Sequence, residues 1–351
     1  MRKIFYCAIL FSGFLLISPA LRANNVAVSN AGLAEKDAVA DTMNVKFDIS
    51  WDNSWRTPGA PSATANWDAA WVFVKYSVYS AGVWSDWNHA TLSANTASYN
   101  IPAGSAVSVG TTGGAGKGVF IYRSNTNENT GSVSWPDVKL VWNYGTDGVA
   151  DNAVIKAKVF AIEMVFVPAG SFSVGDVDKS AFNCFYEGGT THEFLITSED
   201  TITVGDVSGS LYYTNSTTYG GDRAGPIPVT FPKGYNAFYM MKYEISQKQY
   251  CEFLNILTPT QAGNRWDSFH YGQQRDFIKK ASNGKFGCDG NNNAGAYGSA
   301  DFYKMNESND GEWIASRVSY PDVAAYADWS GLNNGLPRGR QFRRFRQDDT
   351  L

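Results

Sequence analysis

Histidine is scarce in this chain: His89, His192 and His270 are the only three in 351 residues. They are too scattered to suggest a three-histidine iron site or a zinc site. Charge is sparse as well, with charged residues at 18% and 29 Lys plus Arg against 33 Asp plus Glu. A net charge of −4 gives no electrostatic footprint for nucleic acid, which is not an expected partner. No Gly-x-Ser-x-Gly elbow singles out a serine nucleophile. The glycine-rich run from Gly110 to Gly118 is not a phosphate loop, because Lys117 is followed by Gly118 rather than by Ser or Thr. Asp289, Asn291 and Asn293 alternate as in a calcium loop, but the required glycine and terminal glutamate are missing.

Long apolar runs are also missing after the first one, Ile4 to Ile17. Arg2 and Lys3 precede that run, and Pro19 and Ala23 follow it. This is the layout of a secretory signal over residues 1–23, with Asn24 opening the mature chain. The run is shorter than the ~20 residues that span a bilayer. The expectation is a secreted or periplasmic, that is extracytoplasmic, protein with no transmembrane segment after signal removal. Of four cysteines, Cys7 lies inside the signal, leaving Cys184, Cys251 and Cys288. An odd number in an oxidising compartment is expected to give one disulfide, its partners unassigned, and one buried thiol. Cys251 sits beside an apolar helical stripe and is expected to be a packing thiol.

What is abundant is aromatic residues at 15% and 34 glycines, a mixture that suits strands and turns. The length suggests two domains. Residues 24–162 read as a β-sandwich. Val45, Phe47, Ile49 and Trp51 alternate on one strand face. Further strands are expected at Trp71 to Tyr79, Gly118 to Arg123, Val138 to Trp142 and Ala153 to Ile162. The expected sandwich core includes Phe47, Trp51, Trp71, Phe73, Phe120, Leu140 and Trp142, and the alternative use of such Trp and Tyr side chains is a platform for sugar faces. Residues 163–332 form a second unit with two amphipathic helices. One has Ser246 and Gln249 as a capping box, then Tyr250, Phe253, Leu254 and Leu257 on one face. The other pairs Ser319 with Asp322, carries Pro321 in its first turn, and puts Val323, Tyr326 and Ala327 on one face. Residues 333–351 are an atypical basic tail.

Three stretches in order, "MVFVPAGSFSVGD" (Met164 to Asp176), "FYMMKYEISQKQYCEFLN" (Phe238 to Asn255) and "RVSYPDVAAYADWSG" (Arg317 to Gly331), resemble the sulfatase-modifying-factor family of formylglycine-generating enzymes. The resemblance implies a partial α+β domain related to C-type lectins, opening on a hairpin about the Pro-Ala-Gly turn. The fold class expected is therefore mainly β with some α, an N-terminal β-sandwich followed by this domain. Complete family members are implied to bind copper through a cysteine pair near the C-terminus and to oxidise a cysteine of a client sulfatase to formylglycine. That segment is absent here. Arg338, Arg340, Arg343, Arg344 and Arg346 stand in its place and read as a foreign ending, from an altered frame or a truncated gene. The alternative for them is a patch for anionic polymers. No residue of this chain is expected to be catalytic, to bind a cofactor or to ligate metal, so the chain is expected to be inactive in the family reaction. The alternative function is a non-catalytic extracytoplasmic module that binds a glycan or a surface protein.

Overall fold

The computed structural model describes residues 25–57, 65–109, 116–124, 129–175, 184–213, 225–267, 278–288, 315 and 318–332. The expected signal, the basic tail, His270 and the Asp289 loop lie outside the described residues, as does most of the glycine-rich run after Gly110. The chain is mainly β with some α. Strands β1 (Ala27–Asp37), β2 (Thr42–Arg56), β3 (Trp67–Ser80), β4 (Val83–Trp84), β5 (Asn88–His89), β6 (Ser105–Val109), β7 (Val119–Arg123), β8 (Asn129–Trp142) and β9 (Val154–Val167) form one curled antiparallel sheet. One half runs β1-β2-β8 and the other β6-β7-β3-β9, and only Arg56 opposite Trp67 joins β2 to β3.

The two halves close on a shared core, as in a sandwich. Val45, Phe47, Ile49 and Trp51 of β2 meet Leu140 and Trp142 of β8 and Ala70, Val72 and Val74 of β3. The alternation read from the sequence is thus an inward-facing row. Strand β8 starts earlier than Val138 because a bulge carries it past Pro136: Asp137 adopts φ +56° and donates its N–H to Asp48 Oδ1 at 2.8 Å.

The second unit contributes β10 (Phe172–Val174), β11 (Phe185–Glu187), β12 (Phe194–Ile196), β13 (Leu211–Tyr213) and β14 (Phe238–Met241). Helices α1 (Gln247–Leu254) and α2 (Pro259–Gly263), strands β15 (Ile278–Lys280) and β16 (Phe286–Cys288), and helix α3 (Tyr320–Ser330) follow. Both expected capping boxes form, at Ser246 with Gln249 and at Ser319 with Asp322. Strand β9 passes without interruption through residues 162 and 163 into the second unit, where Met164–Val167 pairs with β14. The strand after the Pro-Ala-Gly turn does not fold back on β9 as the resemblance implied: β10 pairs with β12. The edge it would have used is taken by β14.

One assignment is corrected by this arrangement. Trp71, Phe73 and Phe120 do not belong to the sandwich core; they point to the other face of the sheet, where they join Phe160, Met164, Tyr250, Phe253, Tyr326 and Trp329 in a second core. Alternate residues of β3 therefore enter different cores, and Asp68 through Ser77 are buried without a break. Trp329 is the centre of the second core, with ring centroids 4.9 Å from Phe73, 4.9 Å from Phe160 and 5.4 Å from Phe253. Trp71 Nε1 donates to the carbonyl of Ser330 at 2.8 Å, giving a partner to one of the orphan carbonyls at the end of α3.

At one end of β3 the sheet is tied by buried charges. Lys242 Nζ lies 3.1 Å from Asp68 Oδ2 and 3.1 Å from Glu163 Oε2. Asp68 also accepts from Trp51 Nε1 and Ser54 Oγ, and Glu163 Oε1 accepts the N–H of Asn25 and of Val26. Burial pushes the Glu163 carboxyl up, against the opposing pull of Lys242.

A shared second core predicts coupled unfolding. Phe73→Ala should lower stability by about 3–5 kcal/mol, with tryptophan fluorescence and far-UV circular dichroism shifting together in urea. Separate transitions for the two probes would contradict the shared core.

Candidate functional site

The face of β3 that enters the second core does not end where the second unit stops covering it. Reading along the register, Trp71 lies opposite Ile162, Phe73 opposite Phe160, Lys75 opposite Lys158, Ser77 opposite Lys156 and Tyr79 opposite Val154. Apolar pairs give way to lysines and then to an exposed aromatic group. The strand turns back at Ala81 and Gly82, with φ +50° and +86°, the two left-handed residues of a tight hairpin turn. That turn sets Trp84 across from Tyr79, with centroids 5.1 Å apart and planes at 54°. Trp84 is 41% and Tyr79 43% exposed, beside Val83. The Lys156 ammonium sits 4.3 Å from the Trp84 ring centroid and 5.0 Å from that of Trp87, and Lys158 lies 5.5 Å from Trp87. Such contacts hold cations in place by about 0.5–1 kcal/mol each at exposed sites.

Next to this platform is a cleft of about 490 Å³ between β9, β1 and α1, floored by Phe286. Lys158, Lys248 and Glu252 reach its walls. Burial and the neighbouring Lys285 charge lower the ammonium groups of Lys156 and Lys158. Glu252 meets solvent at the mouth, and the cleft walls still push its carboxyl up, against Lys248 and Lys158. Among the described residues, none of Lys156, Lys158, Lys248 and Lys285 has a carboxylate within ion-pair distance; the ion pairs use other cations. The region is cationic, aromatic and concave, suited to anionic groups carried on an apolar frame.

Deeper on the same face is a buried pair of bases. Lys75, 6% exposed, has Nζ 3.0 Å from His89 Nδ1. The other ring nitrogen, Nε2, meets the Lys117 carbonyl. A carbonyl only accepts, so Nε2 carries the hydrogen and Nδ1 accepts from the Lys75 amine. Gly331, the left-handed residue that ends α3 at φ +76°, lies against this pair, and a Cβ there would come within 2.9 Å of His89 Cε1. Burial, then the Lys117 charge, lowers Lys75 to about 7; burial, then Lys75, lowers His89 to about 3.

Nothing in the sequence marks this pair beyond the rarity of histidine, and the cationic cleft is invisible there because β9 and α1 are far apart in the chain. His192 is exposed in the second unit, away from any pairing with His89. Cys251 is buried in the second core, the packing role expected of it, and Cys184 is half-buried at the start of β11. Among the described residues no three His, Cys, Asp or Glu side chains converge as a metal site. No described helix is long and apolar enough to cross a membrane. The chain matches no family model, no curated protein and no solved structure.

The buried bases make stability depend on pH. The folded state holds off protons that the unfolded chain would take up, at Lys75 between pH 10.5 and about 7 and at His89 between pH 6.5 and about 3. Stability should therefore fall on acidification through both windows. Lys75→Met should remove the upper slope, on the order of 3 kcal/mol between pH 10 and pH 7, as read from thermal midpoints. A wild-type midpoint that is flat across that range would contradict a neutral Lys75.

Proposed function

We propose that this protein is an extracytoplasmic, non-catalytic module that binds an acidic surface glycan on the Tyr79, Trp84 and Trp87 platform. The observation that carries this reading is the exposed Tyr79 and Trp84 pair, fixed by a tight turn and overlaid by Lys156. Aromatic faces stack against the C–H faces of a sugar ring, and a partner-free ammonium beside them answers a carboxylate or sulfate substituent. Rigid aromatic side chains lose little entropy on binding, which favours such platforms over flexible ones.

The scaffold of the module is inferred to be of the sulfatase-modifying-factor type. In support, the three resembling stretches lie together: Met164–Val167 pairs with β14, β14 leads into α1, and Phe253 of α1 packs on Tyr326 and Trp329 of α3. The use of that scaffold is read as binding rather than oxidation, with Cys251 packed into the second core at 5% exposure.

Trp84→Ala should weaken binding to an acidic polysaccharide such as polygalacturonate by at least about tenfold in calorimetry, consistent with loss of one stacking contact and its cation. Lys156→Glu should weaken acidic but not neutral polysaccharides. A copper-supplied protein that converts a cysteine peptide to formylglycine, followed by mass spectrometry, would sink the non-catalytic reading.

A further inference from the structure

From the bare edge of β9, we propose a second binding site, independent of the glycan platform: the cleft accepts an extended acidic segment of a partner protein as an added β-strand. Strand β9 pairs with β3 along one edge from Val154 to Phe166. Among the described residues its other edge is paired only with β14, over Met164–Val167, and the last bond of that ladder runs from Lys242 N to Glu163 O at 3.0 Å. The chain then leaves the edge to enter α1 at Ser246.

The direction of the remaining backbone groups follows from alternation in an antiparallel strand. Glu163 turns its carbonyl to the β14 side, so Ala161, Val159 and Ala157 turn theirs, and their N–H groups, to the same side. The opposite edge agrees: Val74, paired with Val159, gives its carbonyl to Ala90 N at 2.9 Å, away from β9. Those three β9 residues line the 490 Å³ cleft. No described backbone group bonds them there. An open row of donors and acceptors inside a cleft is a template for strand addition.

Strand β1, the far wall, does not offer a competing ladder. Its register breaks between Ser29 and Gly32 and again between Ala34 and Lys36, with Asn30 and Glu35 at positive φ. Such bulges turn an edge away from pairing. The added strand therefore pairs with β9 over about five residues, near 17 Å of extended chain.

The two faces of β9 dictate what that strand carries. Beside Ala157, Val159 and Ala161, which pack toward the sandwich core, the occupant presents small apolar side chains. On the α1 side, beside Lys158 and facing Lys248, it presents carboxylates. Glu252 at the mouth leaves the cluster cationic overall. Alternating apolar and acidic residues are the matching pattern, and lysines without ion pairs are the charge complement that selects it.

The test uses the full chain and a fluorescein-labelled peptide of alternating valine and glutamate, read by anisotropy. Saturable binding is expected. Methylating the peptide amides that pair with β9 should abolish it, and Lys158→Glu should weaken it at least about tenfold. Val159→Pro should also abolish binding while sparing the β3 ladder, because that N–H faces outward; the methylated peptide carries the test if this variant fails to fold. Trp84→Ala should leave peptide binding unchanged, which separates this site from the glycan platform. Peptide binding that survives methylation, equal binding of a valine and lysine peptide, or no binding overturns the proposal. So does self-association of the protein lost in Val159→Pro, which assigns the edge to a second copy. Displacement of the peptide by an acidic polysaccharide that binds independently of Trp84 overturns it in favour of a glycan in the cleft.

Discussion

The fold depends on β3 being buried on both faces. A strand between two cores cannot shift register by one residue without exchanging its two sets of side chains, one apolar set cut to the sandwich and one to the helices. Ala70, Val72 and Val74 are small where the sheet halves approach; Trp71 and Phe73 are large where α1 and α3 must be reached. The second unit is held to the sandwich by this strand, by the unbroken run of β9 beside it, and by Trp329 wedged between Phe73 and Phe160.

Polar groups sit at the two ends of β3, and each end has a different character. Around Asp68, Glu163 and Lys242 the charges are opposite, paired and hydrogen-bonded, the condition under which buried ions are tolerated. Around Lys75 the neighbouring charge, Lys117, is of the same sign, and the burial of Lys75 is met by a weakened hold on its proton rather than by pairing. Farther along, Lys156 and Lys158 reach toward solvent against Trp84 and Trp87. The proposed binding surface is thus the interface face continued into solvent, where lysines follow the apolar residues along one side of β3 and β9.

Much of the local structure was legible. Ser246 with Gln249 and Ser319 with Asp322 announced both helices because a capping box is a bond pattern within four residues. The row Val45, Phe47, Ile49 and Trp51 announced an inward strand face. The short helix α2 went unread although Thr258 and Gln261 form the same box, since five residues carry no amphipathic period. Strand β8 was read too short because Pro136 suggests an end, and a bulge at Asp137 is decided by a partner, Asp48, distant in sequence.

Composition and alternation determined that the chain is mainly β and where several of its long strands lie, β2, β3 and β9 among them, because hydrophobic period and capping act within a few residues of one another. Which core each buried residue enters was decided only by the tertiary structure. Period two tells that Trp71 and Val72 face opposite ways, but not that both sides are covered. The site depended on tertiary structure even more. A bare strand edge is defined by the neighbour that stops short of it, and the cationic cleft by charges brought together from β9, α1 and the turn before β16, none of which any local pattern records.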